Sequence, residues 1–113
     1  MRDYENTVYM ANDNKTLHLV LKRKWWDMIA SGEKKEEYRS QSDYWIKRLI
    51  EGQYYGSDAL DKYKPYENVY FHLGYSNTTM MFRIVCIHQG YGNPEWGGGN
   101  ERVFIISLGE RVK

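Results

Sequence analysis

The chain has 113 residues and a formal net charge of +1, with 42% hydrophobic and 27% charged residues. This length fits one domain and excludes two, and the near-neutral total lacks the strongly basic balance that many nucleic-acid binders show. The charge is uneven, however, because residues 15–48 carry nine Lys or Arg and five Asp or Glu. This segment is therefore locally basic, and it contains the motif described below.

The N-terminal segment, residues 1–14, is polar and has no clear periodicity. A short edge strand over 8–10 is its one predicted element. It lacks the apolar core of a signal peptide, and no stretch of the chain approaches the ~20 apolar residues of a membrane span. We therefore predict one domain over 15–113 and no membrane partner.

A strand and a helix open the domain. The short apolar run over 16–22 is typical of a buried or half-buried strand. In the following helix, 23–31, Trp25, Met28 and Ile29 recur at helical spacing and are predicted to face the core. Cations cluster where this helix begins, and because they oppose the helix dipole they indicate either a nearby anion or a simple solubilising role. These cations are Lys22, Arg23 and Lys24.

A charged stretch, 32–39, follows the helix. Gly32 occupies the position where a left-handed residue closes a last helical turn. Beyond it, an extended chain alternates its side chains between two faces, so Glu37 and Arg39 are predicted to stand side by side. The long stem of Lys34 can swing its ammonium toward Glu37. The pattern therefore predicts an ammonium, a carboxylate and a guanidinium at one place.

A second helix and a long connection come next. The helix is predicted to begin at Ser42 or Asp43 and to close at Gly52, since an apolar stripe recurs at helical spacing between them. The connection over 53–67 is polar and rich in tyrosine. A loop of this length inside a compact domain is often functional.

Three strands complete the chain, over 68–74, 79–89 and 101–108. The middle one is apolar on both faces, which is typical of a central strand, and its Arg83 needs a partner or a route to water. The glycine-rich loop over 90–100 permits backbone conformations that other residues avoid, and we interpret it as a mobile lid.

Cys86 is the only cysteine, which excludes an internal disulfide and favours a reducing, cytoplasmic location. Its apolar strand pattern predicts a buried, inert thiol. The histidines are scattered, and the chain has neither a His pair at helical spacing nor a Cys pair. We therefore predict no metal and no cofactor.

The spacing Gly-x-Lys-x-x-Glu-x-Arg resembles the motif of the ASCH domains, a branch of the PUA-like superfamily. Gly32, Lys34, Glu37 and Arg39 fill its four positions. The ending Leu-Gly-Glu at 108–110 is similar to the end of the same family's final strand. The resemblance covers nearly the whole chain and implies an α+β fold, a PUA-like small mixed β-barrel or pseudobarrel of about five to six strands with two to three short helices.

The resemblance also implies a cleft between the first helix and the barrel, lined by the motif. A guanidinium matches phosphate oxygens, a carboxylate accepts from base edges, and aromatic rings stack on unpaired bases. The first hypothesis is therefore a module that binds RNA or a nucleotide, recognising an unpaired nucleotide or an RNA phosphate. The candidate ligand-binding residues are Lys34, Glu37, Arg39, Lys24, Tyr38, His72, Arg83 and Trp96.

Two alternatives stay open. Some members of the family resemble amidohydrolases that act on acetylated cytidine, and others ribonucleases; in such a hydrolase Lys34 and Glu37 would be catalytic. The amidohydrolase pattern has a hydroxyl residue three positions after its lysine, where this chain has Glu37. In the other alternative the motif is architectural, with Glu37 and Arg39 tying the first helix to the strands.

Overall fold

The computed structural model describes residues 15–113, so the edge strand predicted over 8–10 lies outside the described residues. The domain is a five-stranded mixed sheet curved into a half-barrel, with two α-helices. This confirms the coarse prediction of a small α+β domain with a barrel-like sheet. The strands are β1 (Thr16–Leu21), β2 (Glu36–Ser40), β3 (Asn68–Leu73), β4 (Thr79–Tyr91) and β5 (Arg102–Arg111); the helices are α1 (Arg23–Ala30) and α2 (Asp43–Leu49), and one 3₁₀ turn spans Pro94–Trp96.

The strand order β1-β3-β4-β5-β2 makes β4 the central strand, as predicted, and leaves β1 and β2 as the two edges. β1 pairs with β3 in parallel, and the other neighbours are antiparallel. The two edge strands approach each other without a backbone ladder. Instead, Arg39 on β2 donates from Nη2 to the carbonyl of Val20 on β1 at 3.0 Å. We call this side-chain-bridged junction of β1 and β2 the seam.

The core fills the concave side of the sheet. β1 and β3 alternate buried and outward residues, as strands with one packed face do. β5 instead buries three consecutive residues, Phe104, Ile105 and Ile106, and α1 covers the core with Trp26 and Ile29. Trp25 was predicted to face the core, and it packs against the core as a half-buried residue. Trp26 is the tryptophan that shares the buried stripe with Ile29, three residues later, whereas Trp25 is half-buried beside the seam.

Cys86 is exposed, so the prediction of a buried thiol was wrong. The cause lies in β4, whose pairing with β5 shifts register twice between Phe82 and Cys86. Such irregularities break the simple alternation of a strand. In a regular strand Phe82 and Gln89, seven residues apart, would point to opposite faces, yet both are buried.

The connection between α2 and β3 is held down by a buried carboxylate. Asp61 accepts hydrogen bonds from the backbone N–H groups of Tyr55, Gly56 and Ser57, at 2.6, 3.0 and 3.0 Å. It also accepts one from the side-chain amide of Gln89 on β4, at 2.8 Å. This connection is therefore a tied Ω-like segment with a structural anchor. No helix in the described part of the chain is long and apolar enough to cross a membrane.

Candidate functional site

A chain of three charged side chains runs along the seam. Lys34 Nζ lies 3.1 Å from Glu37 Oε1, and Glu37 Oε2 lies 2.8 Å from Arg39 Nη2. Gly32, at a φ of +88°, closes α1 and turns the chain so that Lys34 enters beside β2. The β2 alternation then puts the carboxylate and the guanidinium on one face. The predicted convergence of the three charges is thus confirmed.

Lys34 is the most completely enclosed charge, since it is only 2% exposed. Its ammonium donates to the carbonyls of Glu36 at 2.6 Å and Trp96 at 2.9 Å, besides contacting Glu37. Burial lowers the pKa of Lys34, and the neighbouring Glu37 carboxylate opposes that shift. Its three donors therefore each have an acceptor within the protein.

The glycine-rich loop closes over this ammonium. A Cβ at Gly92 would stand 2.6 Å from the Tyr38 ring, and one at Gly97 would stand 2.9 Å from the Trp25 ring, so both positions require glycine for close packing. The N–H of Asn93 donates to Tyr38 Oη at 2.9 Å. Burial raises the pKa of the Tyr38 phenol. The loop covers the Lys34 end of the seam.

Arg39 forms the other end of the seam and is less enclosed. Its side chain is 17% exposed, and its guanidinium carbon lies 4.9 Å from the centroid of the Trp45 ring on α2. Among the described residues, its hydrogen bonds to Glu37 and Val20 both leave from Nη2. Its buried Nε has no acceptor in the described part of the chain. Since an unmet buried donor costs about 1–3 kcal/mol, Arg39 retains unused hydrogen-bonding capacity.

A second arginine, Arg48, lies on the same Trp45 ring as Arg39. Arg48 donates from Nη2 to the His18 carbonyl at 3.3 Å, so two arginines occupy backbone acceptors on the open edge of β1. The chain then passes from β1 into α1, whose exposed first residues include three successive cations and no acid in the first turn. These cations are Lys22, Arg23 and Lys24. Arg48 therefore adds a second guanidinium beside Arg39, and the exposed cations where α1 begins extend the basic surface along the chain.

The structure brings most of the predicted site residues together. Lys24 shares the Trp25 ring with Lys34, its Nζ lying 4.8 Å from the ring centroid. Tyr38 contacts Lys34 through its ring, whose centroid is 4.5 Å from Nζ. Trp96 contributes its backbone carbonyl to the lysine rather than its indole. These residues therefore join the seam.

The other two predicted residues contact different partners. His72 Nε2 lies 3.1 Å from His18 Nδ1, and burial lowers the pKa of His72. Arg83 donates to the side-chain oxygen of Asn68 at 3.0 Å. Among the described residues, neither of them bonds to the motif, because they lie on the inner strands β3 and β4, whereas Glu37 and Arg39 lie on the edge strand β2. Trp45 and Arg48 were not among the predicted site residues, although their spacing of three on a predicted helix places them on one face.

Metal ligands are not grouped in the described residues: within 15–113 no set of three or more His, Cys, Asp or Glu side chains could hold an ion. The chain was also compared with protein family models, with curated proteins and with solved structures. No significant match was found. The functional argument therefore rests on the geometry of the seam and on the motif resemblance.

Proposed function

We propose that this chain is an ASCH-type, PUA-like domain that binds an unpaired nucleotide or an RNA phosphate at the seam, with Arg39 as the anion-binding group. The observation that carries the proposal is the state of Arg39. Glu37 and the Trp45 ring hold its guanidinium in place, yet its buried Nε lacks an acceptor among the described residues. A guanidinium that is already held in position, and whose N–H donors are not all used within the protein, is suited to binding a phosphate oxygen.

The charge balance of the seam supports the same proposal. Glu37 lies between Lys34 and Arg39, and the Glu36 carboxylate also acts on Lys34, so the positive charge in excess lies with Arg39 and its neighbour Arg48. An excess buried charge is costly unless another group pairs with it. A bound phosphate would neutralise that excess, and the exposed cations where α1 begins would raise the local concentration of such an anion.

Lys34 and Glu37 act as positioning residues in this proposal. The three donors of Lys34 are occupied, and each oxygen of Glu37 is taken by one of the two cations. Their contacts therefore fix where Arg39 stands, which unites the architectural and the binding interpretations of the motif. A hydrolase that used Lys34 would need this 2% exposed ammonium to reach a substrate, so the geometry favours binding over catalysis by Lys34.

The test is fluorescence anisotropy of end-labelled single-stranded and hairpin RNAs, titrated with wild type and with Arg39→Gln at two salt concentrations. We expect salt-sensitive binding by the wild type, and a roughly 10- to 100-fold weaker affinity for the variant, because a hydrogen bond to a charged group contributes about 1.5–3 kcal/mol. Arg39→Lys keeps the charge without the planar fork and should bind with intermediate affinity. Thermal melting establishes that each variant is folded.

Arg111→Ala is the matched control, since it removes an exposed arginine. Phe104 is the β5 residue opposite Arg39, and Arg111 lies seven residues further along that strand, roughly 23 Å away at ~3.3 Å per residue. Its affinity should equal that of the wild type. A flat titration for every RNA, or equal affinities of wild type and folded Arg39→Gln, would overturn the proposal. A rise followed by decay below the free-RNA signal would identify a nuclease instead.

A further inference from the structure

Tyr44 on α2 is an exposed aromatic ring that the protein nevertheless holds in place. It is 60% exposed. Its hydroxyl accepts a hydrogen bond from Arg48 Nη1 at 3.0 Å, and its ring meets Trp45 edge-to-face at a centroid distance of 4.8 Å. Ordering a side chain in solvent has an entropic cost that these contacts offset. An ordered, open aromatic face is what a stacking ligand requires. We call Tyr44, Trp45 and Arg48 the α2 platform.

The α2 platform is continuous with the seam. Arg48 is fixed by the His18 carbonyl and by the platform rings, its guanidinium carbon lying 5.7 Å from the Tyr44 centroid and 5.4 Å from the Trp45 centroid. Arg39 lies 4.9 Å from the same Trp45 ring. One indole therefore touches two guanidinium groups, and a ligand that spans this ring meets both.

The charges near the platform favour a polyanion. Lys47 and Arg48 form the basic last turn of α2, while Asp43 is the acid in its first turn. Lys64 adds a further cation, because its Nζ donates to the Lys47 carbonyl at 2.8 Å. Cations outnumber acids around the exposed ring, so the surface complements a strand that alternates bases with phosphates.

We infer that the α2 platform is a second nucleotide subsite for an unpaired RNA strand whose first nucleotide occupies the seam. A base stacks on Tyr44, and its phosphate lies on Arg48 and Lys47. This inference rests on the proposed function and extends it from one nucleotide to a strand. Since every base offers a stacking face, the platform adds affinity with little sequence preference.

The test separates strand length from seam binding. Calorimetric titrations use uridine monophosphate and oligouridylates of two, four and eight nucleotides, with wild type and Tyr44→Ala. We expect the wild-type affinity to rise with length, and the variant to lose about 10-fold or more on the octamer, which is the loss expected for one base–aromatic stack. Binding of the mononucleotide should stay within about twofold, because the seam remains intact. Tyr44→Phe keeps the ring and should retain most of the gain.

Tyr75→Ala serves as the control, since Tyr75 is 98% exposed in the turn between β3 and β4. It should bind every oligomer as the wild type does. Equal octamer affinities for wild type and Tyr44→Ala would overturn the subsite while leaving the seam proposal standing, and so would a wild-type affinity that does not rise with length. Loss of mononucleotide binding in Tyr44→Ala would also overturn it, because the ring would then belong to the seam. Failure of the wild type to bind any of these probes would reject both proposals.

Discussion

The seam and the connection between α2 and β3 each enclose a carboxylate, but one carboxylate is stabilised by cations and the other by uncharged hydrogen-bond donors. Glu37 and Asp61 are 6% and 7% exposed. Among the described residues, Asp61 accepts from uncharged donors, namely three backbone N–H groups and the amide of Gln89. Glu37 instead lies between two cations. The first arrangement completes a structural anchor, whereas the second leaves Arg39 with a buried donor that has no acceptor among residues 15–113.

This difference separates structural burial from candidate function. Burial alone does not distinguish a structural carboxylate from a functional one here, because Glu37 and Asp61 are enclosed to the same extent. The informative quantity is the balance of charge and hydrogen bonds around each group. Four variants or conditions test whether that balance distinguishes the two regions.

The largest effect is expected for Glu37→Gln. Removing the carboxylate leaves Lys34 and Arg39 without the charge that lies between them, and breaking a buried pair typically costs about 3–5 kcal/mol. Denaturant unfolding measures the loss, with the exposed Glu101→Gln as control. A loss below about 1 kcal/mol would mean that the seam does not depend on Glu37, and the two regions would no longer differ in this way.

Asp61→Asn should destabilise the fold by roughly 1–3 kcal/mol, because an amide cannot accept all the hydrogen bonds that the carboxylate receives. Since the hydrogen-bond partners of Asp61 belong neither to the seam nor to the α2 platform, the RNA affinity of the folded variant should equal that of the wild type. Asp27→Asn, at a carboxylate that is 60% exposed, controls for charge removal. If folded Asp61→Asn lost RNA affinity, the anchor would belong to the binding site.

Gly92→Ala tests the loop that covers Lys34. The added Cβ would meet the Tyr38 ring at 2.6 Å, and overpacking of this kind costs about 1–3 kcal/mol. Gly90→Ala is the control, because its Cβ would make an ordinary 3.6 Å contact with Ile105. In a Tyr38→Ala background the Gly92→Ala change should cost much less, which a double-mutant cycle measures. An unchanged cost in that background would place the strain elsewhere.

Lowering the pH should reduce the contribution of Asp61 to the free energy of unfolding over a defined pH range. Burial alone raises the pKa of Asp61, but the hydrogen bonds from Tyr55, Gln89, Ser57 and Gly56 outweigh burial and lower the pKa from 3.8. A lowered folded-state pKa contributes stability that is present above the unfolded pKa and lost as the pH falls through the folded pKa. The stability gap between wild type and Asp61→Asn should therefore narrow below about pH 4. A gap that stays constant from pH 7 to pH 3 would contradict the lowered pKa.

Much of the candidate site followed from local rules. Glu37 and Arg39 are two residues apart in a strand, so the pleat alone places them side by side, and Gly32 supplies the left-handed turn that brings in Lys34. The order of helices and strands was predictable for the same reason, since periodicity and turn residues act over a few positions.

Other features were decided by pairing between distant segments. His72 and Arg83 were expected near the motif, yet strand order directs them to His18 and Asn68. Cys86 points outward because two register shifts in the pairing of β4 with β5 interrupt the alternation of side chains. The local sequence pattern does not predict these shifts. Such pairings join residues tens of positions apart, so they depend on the whole sheet.

The sequence by itself determined which charges meet, because their meeting depends on spacing within one turn and one strand. Only the tertiary structure decided what those charges can do. The glycine-rich loop encloses Lys34, whereas the open edge of β1 and the Trp45 ring leave Arg39 partly exposed, with a buried donor that has no acceptor in the described part of the chain. The physical reason is that solvent access and hydrogen-bond balance are set by segments far apart in the chain, which come together only when the sheet closes toward the seam.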